Sequence, residues 1–211
     1  QILSLPYTVQ AVRRKDLPGG FIVVEGADGS GTTTQARKLA DALDGFYTAE
    51  PTDSKPGTKV EEMISSEGYS PEAIALNFAA DRMIHLEEEV LPRLRNGETV
   101  ICDRYLHSSL VYQSALGAET RWIETLNEPA LKPDLTFILD VEAETGMKRV
   151  EKRGKDENIF ENLSFQQEVV TRYRDLECLI ENKINMIDGS RNPEEVHDEI
   201  VSKTKEVLDL P

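Results

Sequence analysis

Residues 21–35, FIVVEGADGSGTTTQ, constrain this chain more than any other stretch. Phe21, Ile22, Val23 and Val24 form an unbroken apolar run. A strand with two apolar faces belongs inside a parallel sheet, covered by helices on both sides. The run ends in Gly26-Ala27-Asp28-Gly29-Ser30-Gly31-Thr32-Thr33. Three glycines let the backbone curl so that successive N–H groups turn inward and form a nest for anions. From Thr32 the composition becomes helical, with apolar residues at Ala36, Leu39, Ala40 and Leu43. A helix beginning there adds free N–H groups and the positive end of its dipole. Strand, glycine loop and helix start together predict a phosphate site.

The glycine spacing matches the P-loop pattern of glycine, four residues, glycine, lysine and Ser/Thr, with one departure. Thr32 stands at the lysine position, and Thr33 follows as the residue whose hydroxyl helps hold Mg²⁺. A glycine-rich turn with no ligand is the competing reading of this stretch, and the rest of the chain argues against it.

A length of 211 residues suits one α/β domain with a full core. The formal net charge of −15 sets most of the surface against nucleic acid and anionic membranes. Any cation that holds a phosphate must therefore be a local arrangement. Two cysteines, Cys102 and Cys178, make neither a disulfide framework nor a thiolate zinc site, and fit a reducing, cytoplasmic setting. No apolar run is long enough to span a bilayer. Residues 1–20, with Arg13, Arg14 and Lys15 and the ending Pro18-Gly19-Gly20, read as an extension ahead of a single domain over 21–211.

Along the chain, Phe46 to Ala49 reads as a second strand, running into a loop, Glu50-Pro51-Thr52-Asp53-Ser54-Lys55-Pro56-Gly57. A short helix is expected over Thr58 to Ser65. Ser70-Pro71-Glu72 starts a long helix to about Asn96-Gly97, with a kink near Val90 because Pro92 lies inside it. Thr99 to Cys102 is a strand that delivers Asp103-Arg104-Tyr105. Helical stretches are expected around Ser109 to Leu116 and Thr120 to Ala130, then a strand over Leu135 to Asp140 and a helix over Glu142 to Arg153. The polar segment at about 153–163 suits a lid, and Ser164 to Lys183 a long helix. Ile184 to Ile187 is the last strand, Asp188 to Arg191 a loop, and Asn192-Pro193 opens the last helix. Strands alternating with helices give a three-layer fold, a parallel sheet of about five strands with helices on both faces. Ligands bind such sheets at the carboxyl ends of the strands. The glycine loop, Glu50, Asp103, Arg104, Asp140 and Asp188 all fall there.

Asp103 suits Mg²⁺ and its waters, and Arg104 can take two phosphate oxygens at once. A turn-capping carboxylate beside a surface ion pair is the plainer alternative. Phe78 and Arg82, four apart on one helix, share a face. A ring beside a guanidinium suits a planar base; on spacing alone a core Phe78, with Arg82 paired to Asp81 or Glu87, is the plainer reading. Arg149, Lys152, Arg153 and Lys155 form a basic cluster in an acidic chain, either solvated or able to swing onto phosphates. Arg191 is a further candidate on the nucleotide's side. His85, His107 and His197 have no metal-ligand spacing and read as hydrogen-bonded or solvated.

Taken together, EGADGSGTTTQ, EPTDSKPG, NFAADRMIHLEEEVLPRLRNGETVICDRY, HSSLVYQ and RVEKRG resemble the thymidylate kinase family in order and spacing over about Phe21 to Leu208. The resemblance implies a P-loop nucleoside monophosphate kinase that moves the γ-phosphoryl of ATP to dTMP with Mg²⁺. It implies that the loop Gly26, Ala27, Asp28, Gly29, Ser30, Gly31, Thr32 and Thr33, with Arg149 and Arg191, binds ATP, and that Thr33 and Asp103 hold the metal. It also implies that Asp28 meets the sugar 3′-hydroxyl, Phe78 stacks on thymine and Arg82 bonds its edge. Arg104 holds the acceptor phosphate, Ser108 and Ser109 lie near the pyrimidine, Tyr112 crowds the 2′ carbon, and Glu50 and Gln113 complete the substrate site. Family members are commonly homodimers.

Two positions depart from the family, Thr32 for lysine and Ala49 where arginine is common. The expectation is that Arg153, with Lys152 or Lys155, supplies the missing charge, and that Lys55 or Lys59 helps hold the acceptor phosphate. A kinase for another nucleotide or for a deoxynucleoside, and a non-catalytic nucleotide-binding protein, are the alternative functions.

Overall fold

The computed structural model describes residues 12–66, 68–152, 162–179 and 184–209, with backbone alone at 177–179. The apolar run forms β1 (Phe21–Gly26), every residue of which is buried. It lies at the centre of a five-stranded, all-parallel sheet with β2 (Phe46–Ala49), β3 (Val100–Asp103), β4 (Leu135–Asp140) and β5 (Ile184–Asp188), in the order β2-β3-β1-β4-β5. Val24 pairs with Asp103 on one side and Phe137 on the other. The chain winds away from β1 in both directions, so the crevice at its carboxyl end is where a ligand sits in such a fold.

Alternation along β1 divides the core. Ile22 and Val24 point into a layer with Ala36, Leu39, Phe137, Val196 and Ile200, brought by α1 (Thr32–Ala42) and α9 (Pro193–Leu208). Phe21 and Val23 point the other way, against Leu86, Val90, Leu91 and Leu94. That face is covered by α3 (Pro71–His85) and α4 (Leu91–Arg95), which follow α2 (Lys55–Ile64), and by α5 (Leu106–Ala115). Next in the chain are α6 (Thr120–Leu126), α7 (Ala143–Glu151) and α8 (Leu163–Leu179).

Three boundaries differ from expectation, each for a local reason. The second helix begins at Lys55, three residues early, because the Ser54 hydroxyl accepts the Gly57 N–H (3.1 Å) and caps it. Proline and glycine, which read as loop, are tolerated in a first turn, where N–H groups have no helical partner. The long helix is divided at Leu86–Val90 by a π turn. Pro92 has no N–H to donate four residues back, and the wider turn absorbs the lost bond. The helix expected near Ser109 starts at Leu106, since Glu25, a residue of β1, accepts the N–H groups of Tyr105 (2.9 Å) and Ser108 (3.2 Å) at its first turn. A cap from another element leaves no local sequence signal.

Residues 12–20 lie against this domain. Leu17 enters the core, and Arg14 pairs with Asp134, whose Oδ2 also accepts the Phe21 N–H (2.8 Å). The expected lid falls almost wholly outside the described residues; Asn162 is described, and its Oδ1 accepts the Ser164 N–H at the start of α8 (2.9 Å). Among the described residues no helix is long and apolar enough to cross a membrane.

Candidate active site

Between β1 and α1, Gly29 and Gly31 have φ of 76° and 104°. Gly29 has a second reason to lack a side chain: a Cβ there would come within 2.1 Å of the Gly146 carbonyl on α7. At Gly31 nothing would meet a Cβ within 4 Å, so the turn opens onto free space. The buried Ser30 hydroxyl has no partner. The unpaired hydroxyl and the open space in front of Gly31 leave a donor and room for an anion.

Beside it, the Thr33 hydroxyl donates to Asp103 Oδ2 (2.5 Å), and the Tyr47 hydroxyl reaches the same oxygen (3.3 Å). Asp103 Oδ1 is buried without a partner. A hydroxyl and a carboxylate with one idle oxygen are hard donors, which fit Mg²⁺ rather than a soft metal.

Arg104 follows, in the left-handed region at φ 68°. That conformation turns its guanidinium back under the loop, onto the Gly26 carbonyl (2.9 Å), Asp28 Oδ1 (2.7 Å) and the Tyr112 hydroxyl (3.2 Å). Asp28 Oδ2 accepts from Gln166 Nε2 of α8 (2.9 Å), and its Oδ1 also accepts from Tyr112 (3.0 Å). Burial pushes the Tyr112 hydroxyl far above its ordinary pKa, so it stays a donor at neutral pH.

These groups form one end of a cavity of about 330 Å³, whose other end is lined by Glu50, Phe78, Arg82 and Gln113. Arg82 is fully buried and fixed on three sides: Nε donates to Glu50 Oε2 (2.9 Å), Nη2 to the Ser109 hydroxyl (3.1 Å) and Nη1 to Asn127 Oδ1. Its carboxylate is thus Glu50 rather than the helical neighbours Asp81 or Glu87. Asp81 instead accepts from Thr52 and Ser54 and pins the loop after β2. Gln113 Oε1 is buried and unpaired at the cavity wall. Ser108 lines the cavity while its hydroxyl donates to Glu25 (2.6 Å); Ser109 reaches it only through Arg82. A second hollow of about 200 Å³ lies across the glycine loop between Arg149 and Arg191. Arg149 donates to the Gly29 carbonyl (3.2 Å), and Arg191 pairs with Glu199.

The other expected cations are elsewhere. Lys59 pairs with Glu62 (2.7 Å), and neither it nor Lys55 lines the cavity. Lys152 is exposed where α7 ends, and Arg153 and Lys155 lie outside the described residues. Thr32 is buried and brings no charge. Sequence reading missed Glu25, Gln166 and Asn127, while His85, expected to be hydrogen-bonded or solvated, is hydrogen-bonded to Glu50 and Thr48. Of those missed, only Glu25 left a signal, a carboxylate at the end of an apolar strand. It is fully buried and also accepts from Tyr173 (3.0 Å). Burial works to raise its pKa, but His107, Ser108 and Arg104 outweigh it and hold the carboxyl below its ordinary range.

A parallel sheet that feeds its central strand into an open glycine loop, with a carboxylate idle at the end of the neighbouring strand, is the arrangement of a P-loop nucleotide kinase. A cavity opens off the same loop. A thymidylate kinase family model matches residues 24–200. A probable thymidylate kinase of Methanocaldococcus jannaschii is 42% identical over 192 residues, 89% of this chain and 96% of that protein. One from Pyrococcus abyssi is 38% identical over 201 residues, 90% of this chain and 98% of its own length. This chain belongs to the thymidylate kinase family, whose members are ATP-dependent nucleoside monophosphate kinases.

Proposed function

We infer that this chain transfers the γ-phosphoryl of ATP to dTMP, giving dTDP and ADP. The observation that carries the reading is the polar pattern at the far end of the cavity, where Arg82 can only donate and Gln113 Oε1 is an unpaired acceptor. Thymine offers the complement, a carbonyl oxygen for the guanidinium and an N3–H for the amide oxygen. Cytosine would set an amino group against Arg82 and a lone pair against Gln113. In this reading Phe78 stacks on the base, Glu50, Ser108 and Ser109 support that end, Tyr112 crowds the 2′ carbon, and Asp28 takes the 3′-hydroxyl. Arg104 takes the acceptor phosphate, which gives it a better use for donors now spent on Asp28 and the loop.

The attacking phosphate oxygen is already ionised near neutrality, with a second pKa of about 6, so no general base is required. Alignment and charge stabilisation then do the work. The loop Gly26–Thr33 holds the donor phosphates through its N–H groups, and Arg149 and Arg191 flank the rest of the nucleotide. Thr33 and Asp103 would hold Mg²⁺, whose charge would offset that of the phosphates. Arg153, with Lys152 or Lys155, takes the place of the lysine absent at Thr32. We further propose that residues 21–211 form the catalytic unit with 1–20 appended and 153–163 as its lid. It works as a homodimer in the cytoplasm, with ATP and dTMP as partners and neither nucleic acid nor membrane. Coupled ADP release with ATP, Mg²⁺ and a panel of deoxynucleoside monophosphates plus thymidine tests this. Turnover with dTMP and little with dCMP or thymidine is expected. Phosphorylation of thymidine would make the chain a nucleoside kinase, and ATP binding without any turnover a nucleotide-binding protein.

A further inference from the structure

Behind Arg82 and Glu50 lies a chain of polar groups with no part in the reaction above. His85, one turn along α3, has a side chain only 1% exposed. Its Nδ1 is 3.1 Å from Glu50 Oε1, and its Nε2 is 2.7 Å from the Thr48 hydroxyl and 3.3 Å from Glu89 in the π turn. Thr48 is also 2.7 Å from Glu89, which is half-exposed. Cys102 Sγ lies within 4.8 Å of the Glu50 and His85 ligand atoms, but the three do not make a metal site. Arg82 already neutralises the carboxylate, and burial keeps the Cys102 thiol protonated, donating to the Arg104 carbonyl (3.0 Å).

We propose that His85 is the positioning residue that sets the base-reading geometry of Arg82, acting through Glu50. A carboxylate can only accept, so Nδ1 donates to Oε1. That bond holds one oxygen of Glu50 and leaves the other facing Arg82. Without it, the idle oxygen would turn onto Nη2, which already lies 2.8 Å from Oε2, making a two-point pair that draws Nη2 from Ser109 and shifts the guanidinium at the cavity wall. Thr48 and Glu89 hold the far nitrogen, so the ring cannot rotate.

The proposal rests on the reading of Arg82 as the group that bonds the base edge. Three variants separate the two, with KM measured for dTMP and for ATP and unfolding midpoints recorded for each. His85→Gln keeps a hydrogen-bonding amide near the Nε2 position and loses the donor at Nδ1. His85→Asn keeps the Nδ1 donor and loses the other. His85→Gln should raise the dTMP KM about tenfold and leave the ATP KM within about twofold, and His85→Asn should recover most of the loss. A packing role would treat the two alike, since both remove the ring. Equal dTMP KM values in the two variants, or an ATP KM that rises in step, would overturn the proposal whatever their midpoints. Arg82→Lys checks the footing. If it leaves the dTMP KM unchanged, the base-edge reading fails and the relay falls with it. If it raises the dTMP KM while His85→Gln does not, the relay alone fails.

Discussion

Glu25 shows how much one residue decides here. Four donors, two backbone and two hydroxyl, converge on a carboxylate with no access to water. Glu25→Gln would turn an amide N–H against one of them and should cost about 2 kcal/mol in denaturant unfolding at neutral pH. Its folded pKa lies below the ordinary 4.5, so its stabilising contribution is fully present above that value. It drains away as pH falls through the depressed folded value. The wild type should therefore lose stability below about pH 4.5 more steeply than Glu25→Gln, as urea titrations at stepped pH would show. Arg153 belongs to the same scale. Arg153→Ala should lower kcat about a hundredfold and leave dTMP binding nearly intact, and unchanged turnover would reject it as the stand-in for the loop lysine.

Among the elements, the helix starts allow a controlled comparison. Among the described residues the Ser70 hydroxyl caps α3 through the Ala73 N–H (3.1 Å) and makes no second hydrogen bond, whereas Ser54 caps α2 and also donates to the buried Asp81 (2.5 Å). Ser70→Ala should cost about 1 kcal/mol with kinetics unchanged. Ser54→Ala should cost more and also raise the dTMP KM, because the loop it frees runs on from Glu50. Equal costs would mean that the Asp81 bond is of no consequence. Seen from the sequence, Ser70-Pro71 announced its helix, since cap and proline are adjacent in the chain. Ser54 and Pro56 were read as loop because the same residue types serve both roles, and only the Asp81 contact settles which.

For the molecule as a whole, the two-sided winding from β1 leaves a crevice at its carboxyl end, which both substrates share in the proposed function. Binding there should stabilise the entire domain by mass action. dTMP at a hundredfold over its Kd should add about 2.7 kcal/mol to unfolding, and thymidine at the same concentration much less if Arg104 holds the phosphate. Calorimetric scans with each ligand would show it.

Glycine turn, parallel sheet and family were all legible in the linear chain, because each depends on backbone chemistry or patterning over a few adjacent residues. Phe21 to Thr33 carries its own geometry wherever it folds. The pairing of the buried polar groups was not legible. Gln166 meets Asp28 across 138 positions, and Glu25 meets Tyr173 across 148. Arg82 found Glu50 rather than its helical neighbours. A buried charge takes whichever partner the packed layers bring within 3 Å, and only the folded sheet order fixes which one that is.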